Sequence, residues 1–335
     1  MFQLNMRIAA RSSRLAWFTA FLLCSSACLA DDSKGEGQLR LSLLSFNAWG
    51  LGANNGRPLE EWLAVLRTAE ADIIGLQETR AWPEDCTVDN CAMLSEGRLR
   101  ALADSLGYHY QENVKEGPAL SAPGAILSRF PIIENLGDGL GVAIHVAGRR
   151  IHAWNVHPTD FPYQPYQLAR IEYGSQPFLH TAEEAIEAAM EARGEAVRRL
   201  LSLMASYPQP DMDIVFGDFN EPSHQDWSDR AAAAGTHPLA VEFPQSQEME
   251  TAGFVDTYRA FFPDELSFPG FTWTPMTEPG DPTDHHDRID FIFVRGEGIG
   301  ISDAAILGEA SPPADIVVSP WPSDHRGVRV TIDVN

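Results

Sequence analysis

From Leu39 to Leu43 apolar and polar residues alternate, placing Leu39, Leu41 and Leu43 on one side of a strand-like run, and the same parity carries Ser45 and Asn47 onto that side. Asn47 is therefore expected at a strand end, beside the core. Between Arg57 and Glu70 the period changes, and Leu59, Trp62, Leu63 and Leu66 recur at helical spacing. The next apolar run, 71–77, stops at Glu78. Further runs, most of them rich in Val, Ile and Phe, predict strands over Gly124–Ser128, Gly141–Val146, Ile151–Val156, Asp213–Gly217, Arg288–Val294 and Val328–Val334. Thr181-Ala-Glu-Glu184 has the form of a capping box and predicts a long helix with Ile186, Met190, Val197, Leu200, Leu201 and Met204 on one face. Strands alternating with helices early and dominating late predict two packed sheets with helices outside them.

The first thirty residues read differently. Arg7, Arg11 and Arg14 precede the apolar run Leu15–Leu23, and small residues then lead to Ala30 and the polar Asp31-Asp-Ser-Lys34. This is the layout of an export signal peptide cleaved after Ala30, with an apolar core too short to span a bilayer. Acylation at Cys28 is the alternative, although Ser25 stands three residues earlier, where a large aliphatic is usual. The expected organisation is a signal peptide over 1–30, a flexible segment over 31–38 and one domain over 39–335, in a periplasm or outside the cell, with no transmembrane segment once the signal is removed. No Gly/Ser linker, low-complexity tract or internal repeat divides that domain. Cleavage would leave Cys86 and Cys91, in a loop rich in Pro, Asp and Asn. In an oxidising compartment these are expected to form a disulfide; a metal site is the rival, and it lacks a second Cys/His pair nearby.

The formal net charge is −23, and losing three arginines with the leader makes it three units more negative. Such a surface repels polyanions at long range and offers no basic stripe for nucleic acid. A divalent ion can reverse the local potential at a site, so nuclease chemistry is disfavoured without being excluded.

Short polar fragments close the apolar runs in a definite order: Asn47 in Ser45-Phe-Asn-Ala-Trp49, Glu78 in Gly75-Leu-Gln-Glu78, His157 in Asn155-Val-His157, Asp218 and Asn220 in Gly217-Asp-Phe-Asn220, Asp290 in Arg288-Ile-Asp-Phe-Ile292, and Asp324-His325 in Pro322-Ser-Asp-His-Arg-Gly327. Together they resemble the endonuclease/exonuclease/phosphatase superfamily, whose members include DNase I-like nucleases, abasic-site endonucleases, neutral sphingomyelinases and inositol-polyphosphate phosphatases. The resemblance runs from about Leu39 to the C-terminus. It implies an α/β fold of the DNase I-like kind, a four-layered α/β sandwich of two packed mixed β-sheets flanked by helices, with the site at one edge of the paired sheets.

Phosphoester hydrolysis needs a cation to neutralise the phosphate, an activated water in line with the leaving oxygen, and donors for the charge that develops. By resemblance, Glu78 is the metal-binding carboxylate, with Asn47 and Asp324 also on the metal side. Magnesium is the implied cofactor, with Mn2+ or Ca2+ as substitutes, and one or two protein carboxylates suffice for it. Asp218 corresponds to the carboxylate that activates or orients water, and Asn220 to a residue that binds the phosphate or fixes that water. If strand geometry persisted, the two would project to the same side, about 7 Å apart; an Asp-Phe-Asn turn is the alternative. Asp290 would pair with His325, fixing its tautomer and raising its basicity. His157 resembles the histidine that DNase I-like and sphingomyelinase-like members place on the leaving-group side, and an apolar-neighboured structural histidine is its bland counterpart.

Two stretches depart from the family pattern. After His157 the chain as far as Leu179 carries four Pro and five Phe or Tyr, a composition that suits a wall or lid over a site as well as a stiff packing loop. The second stretch leads from Phe268 through Trp273 to Asp284-His-His-Asp287. Asn155, which can also support its loop, Tyr163, Tyr166 and Trp273 are the expected substrate contacts. His285 and His286 stand outside the family motif; a second metal or a head group would use them, whereas exposed loop histidines commonly do neither.

The expectation is an exported magnesium-dependent hydrolase of a small-molecule or lipid-derived phosphoester, acting by direct attack of water. A secreted DNase I-like endonuclease is the alternative enzyme. A binding or toxin subunit on the same fold with its chemistry lost is the alternative of another class.

Overall fold

The computed structural model describes residues 39–80, 91–113 and 123–335, and Gln38–Asn335 cluster as one unit. Its strands, in chain order, are β1 (Leu39–Asn47), β2 (Ile73–Gln77), β3 (His109–Asn113), β4 (Gly124–Ser128), β5 (Ile132–Leu136), β6 (Gly141–Val146), β7 (Arg149–Val156), β8 (Met212–Asp218), β9 (Val255–Asp256), β10 (Asp290–Gly296), β11 (Ile299–Gly308), β12 (Ile316–Val317) and β13 (Gly327–Val334). Seven form one sheet in the order β12-β11-β13-β1-β2-β4-β3, and six form the other in the order β5-β6-β7-β8-β10-β9. Both are mixed: β1 runs parallel to β2 but antiparallel to β13, and β7 runs parallel to β8 while β8 and β10 are antiparallel.

Side-chain alternation in β1 explains the layering. Leu41 and Leu43 point inward, meeting Ile73, Val330 and Ile332 of their own sheet and Ile144, Ile214, Phe216 and Ile292 of the other. Leu44 and Phe46 point outward, onto Trp62, Val65 and Leu66 of α1 (Leu59–Ala69) and Leu99 and Leu102 of α2 (Cys91–Leu106). On the far side, Trp154, Val215 and Phe293 meet Val197, Leu200 and Met204 of α4 (Ala182–Ala205). Helix, sheet, sheet and helix therefore stack in that order, a four-layered α/β sandwich. No described helix is long and apolar enough to cross a membrane.

One glycine sets the spacing between the sheets. Gly75, in β2, lies so near β8 that a methyl group added to it would stand 2.3 Å from Phe216 Cβ and 3.0 Å from Asn155 Oδ1. Gly75→Ala is expected to cost about 1–3 kcal/mol through this overpacking. A thermal melt indistinguishable from that of the unmodified protein would contradict the close approach.

Helix α4 departs from expectation in its buried face. Thr181 caps it, its hydroxyl accepting from Glu184 N at 3.1 Å, but Glu184 reaches back to His180 N rather than to Thr181 N. Ala185, Ala189, Gly194, Ala196, Val197 and Leu200 face the protein, while Ile186, Met190 and Leu201 lie only half-buried on the flanks. Small residues let the helix sit close to the sheet, and the larger apolar side chains fill its margins. The proline- and tyrosine-rich stretch after His157 contains a short helix, α3 (Gln164–Ala169), which the sequence pattern did not indicate. The expected Cys86–Cys91 bridge lies outside the described residues, since Cys86 falls within 81–90.

Candidate active site

Four strand ends meet at one edge of the seam between the sheets. Asn47 terminates β1 and Glu78 follows β2 in one sheet; His157 follows β7 and Asp218 terminates β8 in the other. Asp290 opens β10 directly opposite Asp218 in register, so two carboxylates lie side by side on neighbouring strands. His325 arrives on the loop before β13.

The contacts make one cluster. The Asn47 amide donates to Glu78 Oε1 and to Asp218 Oδ2, both at 2.9 Å, linking the two sheets. His157 Nε2 faces the same two carboxylate oxygens at 3.6 and 3.5 Å. His325 Nε2 lies 3.6 Å from Asp218 Oδ2, while its Nδ1 lies 2.9 Å from Asp290 Oδ2. Glu78 is the most exposed of these acids, with 14% of its side chain reachable, against 1% for Asp218 and 0% for Asp290.

Backbone conformation aims two of the participants. Glu78 has φ +49° and Asn220 φ +50°, the left-handed region that a glutamate enters only at a cost. The turn at Glu78 is fastened on both sides: Gly50 N donates to its carbonyl at 2.8 Å and Thr79 N to Pro123 O at 2.8 Å. At Asn220 the strand does not continue, because β8 ends at Asp218 and the Asn220 N–H turns back to Asp218 Oδ1 at 2.9 Å. The Asp-Phe-Asn turn, not the extended arrangement, is what the chain adopts. Asn220 Nδ2 donates to Pro158 O at 3.0 Å, tying down the loop that follows His157.

Electrostatics divide the labour. Burial works against the charge of Asp218, yet the neighbouring His325 and His157 hold its pKa down to about 2, so it is ionised. Burial likewise opposes a charge on His325, but Asp290 and Asp218 outweigh it and favour the imidazolium strongly. Asp290 itself is pushed up to about 6 by burial, which His325 only partly offsets. For His157, burial is outweighed by Asp218 and Glu78, and its pKa rises. Burial lifts Asp324 to about 7, with Glu78 among the repelling charges.

These donors fit a hard divalent ion. Glu78, His157 and Asp218 offer ligand atoms within 4.8 Å of one another, and so do Asp218, Asp290 and His325. Two of the first set are carboxylates, the oxygen donors a hard divalent ion takes, and Asp290 Oδ1 is a buried oxygen without a hydrogen-bond partner. Asp324 belongs to neither set, and Asn47 turns its N–H2 toward the carboxylates while Trp49 N takes its oxygen at 3.0 Å. In this arrangement the Asn47 amide bridges the Glu78 and Asp218 carboxylates.

Of the expected substrate contacts, Trp273 lies beside the cluster, and Tyr166 is joined to it. The Trp273 ring lies 4.8 Å from that of His325, and its Nε1 donates to Tyr166 Oη at 2.9 Å. Tyr163 is buried behind them, donating to Asp287 at 2.8 Å. Asn155 is set back: it accepts from Gln77 Nε2 at 2.6 Å and donates to Leu76 O at 2.7 Å, so its amide joins the sheets below the site. Two buried arginines that the sequence pattern did not single out hold the frame. Arg193 donates to Thr159 O and Pro162 O at 3.2 and 2.9 Å. Arg288 pairs with Asp226 and Asp256, both at 2.8 Å, two residues before Asp290. An arginine on the inner side of a predicted helix was the available signal for the first.

The sequence pattern of the Endonuclease/Exonuclease/phosphatase family matches residues 44–325, the span from β1 to His325. The chain belongs to the endonuclease/exonuclease/phosphatase family. Members of this family are hydrolases acting on phosphoester bonds and are typically dependent on a divalent metal. Uncharacterized protein F14F9.5 of Caenorhabditis elegans is 25% identical over 324 residues, covering 92% of this chain and 94% of its own length. Among solved structures, a humanized D. rerio TDP2 gives a TM-score of 0.50 at 17% identity, over 88% of this chain and 98% of that one. An AP endonuclease from Archaeoglobus fulgidus gives 0.51 at 16% identity, over 87% and 98%. At such identities the likeness is one of fold, and it places the paired sheets of this family member in the DNase I-like architecture.

Proposed function

We propose that the protein is a magnesium-dependent hydrolase that cleaves a small or lipid-derived phosphoester by direct attack of water, with no covalent intermediate. The observation that carries this reading is the convergence of Glu78, His157, Asp218, Asp290 and His325 from both sheets, the ligand-type atoms of the other four lying within 4.8 Å of those of Asp218. Glu78 and Asp218 would hold the ion, which when bound would neutralise phosphate charge. Asp218, kept ionised, accepts a proton from the attacking water or fixes its direction. His325, kept cationic by Asp290, faces the phosphate and offsets the charge that develops on it. His157, between the two carboxylates, hands a proton to the leaving oxygen. Trp273 supplies an aromatic flank on the His325 side. Export belongs to the same reading and rests on the leader-like pattern of residues 1–30.

The substrate class rests on charge: at −23 the chain is poorly suited to a long polyanion. An endonuclease is the second reading, favoured by the likeness in fold to an AP endonuclease. A panel separates them. Bis(p-nitrophenyl) phosphate, p-nitrophenyl phosphate, sphingomyelin, a lysophospholipid, inositol phosphates and plasmid DNA are incubated with the protein in Mg2+, Mn2+ or Ca2+, beside Glu78→Gln. Hydrolysis of a small or lipid substrate that Glu78→Gln abolishes is the expected result. Plasmid nicking that outpaces every small ester and vanishes in Glu78→Gln would transfer the assignment to the nuclease. Inertness toward all six in all three metals would leave a binding subunit.

A further inference from the structure

A second group of ligand-type side chains lies behind the aromatic wall, in loops that no strand or helix obliges to meet. His237 Nδ1 and His285 Nε2 stand 3.0 Å apart. Asp287 Oδ1 lies 4.0 Å from the first and 3.8 Å from the second. All three side chains are enclosed: 4%, 14% and 1% of them, respectively, is reachable by solvent. Their orientations are fixed by neighbours. Trp227 stacks on the His237 ring at 4.4 Å and 12° and meets His285 edge-on at 5.4 Å. The same indole donates Nε1–H to Asp287 Oδ1 at 2.8 Å, and Tyr163 donates to Oδ2 at 2.8 Å.

The charge balance of this group is unusual. Asp287 is a buried carboxylate whose hydrogen bonds from side chains come from neutral donors, and among the described residues its ionic contacts are the two imidazoles. Arg288, next in the chain, is committed to Asp226 and Asp256. Buried charges are ordinarily paired or bound to a metal. A cavity of about 10 Å3, lined also by Asp226, Phe271 and Arg288, borders His237 and Asp287, close to the room one water needs.

We propose that His237, His285 and Asp287 form a second cation site, for a zinc-class ion, distinct from the catalytic cluster. Two imidazole nitrogens and one carboxylate oxygen, oriented by hydrogen-bonding and stacking neighbours, suit zinc and its first-row relatives; magnesium prefers oxygen throughout. The ion would act by position. Asp287 and Trp273 exchange backbone hydrogen bonds at 2.9 and 3.0 Å, and the Trp273 ring packs on His325. A cation on Asp287 would thereby brace the wall beside the catalytic histidine without touching substrate.

The test uses the full chain, stripped with a chelator and returned to zinc chloride in the presence of excess magnesium. Zinc is counted by elemental analysis for the unmodified protein, for Glu78→Gln and for His285→Asn, with circular dichroism on each. The expected result is a tightly held equivalent that Glu78→Gln retains and His285→Asn loses, together with a zinc-dependent rise of several degrees in the melting midpoint. Crystals of the unmodified protein grown with zinc should show an anomalous scattering peak about 2.1 Å from both nitrogens. That measurement decides the matter even if His285→Asn misfolds. An unchanged zinc count in a folded His285→Asn, displacement of the zinc by magnesium, or the absence of a peak between these three side chains would overturn the proposal, the 3.0 Å contact then being a hydrogen bond between two histidines.

Discussion

Asp218→Asn is expected to lower metal-dependent phosphoester turnover at least about a hundredfold while the circular dichroism spectrum stays as it was. The substitution keeps shape and removes charge. Asp218 Oδ2 is the atom on which the Asn47 amide, His157 and His325 all converge, at 2.9, 3.5 and 3.6 Å. An amide there can neither accept a proton from water nor hold the two imidazoles in their charged forms, and it weakens the ligand set for the ion. The expected signature is a fall in kcat larger than any rise in KM. A variant whose kcat falls less than about tenfold would show that water activation lies elsewhere in the cluster.

Arg288→Ala is expected to be the most damaging change to stability away from the catalytic residues, at about 3–5 kcal/mol. Its guanidinium donates to Asp226 Oδ2 at 2.9 Å and forks onto both oxygens of Asp256 at 3.1 and 2.8 Å, while lying over the rings of Tyr258 and Phe291. Removing it would leave two buried carboxylates with Arg259, 2.8 Å from Asp226, as the remaining cation in an ion pair with them among the described residues. Since a domain's whole stability is commonly about 5–15 kcal/mol, the urea midpoint should fall by a large fraction of its value. Replacing Asp226 and Asp256 by Asn in the same chain should restore part of the loss, because the uncompensated charge and not the lost contact dominates. An unfolding free energy lowered by less than about 1 kcal/mol would mean that the network is hydrated and of little weight.

What could be read from the sequence was whatever a local pattern encodes. β1, β4, β6 and β7 announce themselves by alternation or by β-branched runs, and the polar residues that end several strands are those gathered at the seam. β11 was not legible: Ile299–Gly308 mixes Gly, Ser, Asp and Ala, and it is a strand because β13 pairs with it, around an irregularity between Ile301 and Asp303. β3, reading His-Tyr-Gln-Glu-Asn, has no apolar period and is fixed by the register it shares with β4. At the site, residue types and order were visible, and the turn at Asn220 stood among the alternatives, but the placing of Asn155 below the ligands was not visible. It depends on partners far away in the chain. The same holds for Gly75, whose importance lies in a phenyl ring on the opposite sheet, and for His237, which nothing nearby in sequence marks.

The division of the ligand set between the two sheets has a further consequence. Glu78 rides on one slab of the sandwich and Asp218 on the other, so any ion they share fastens the slabs at their rim. Slippage between the layers, too slight to disturb a single strand, would be felt there first, and loss of the cation would be an early symptom of a loosening molecule whose secondary structure still looked whole.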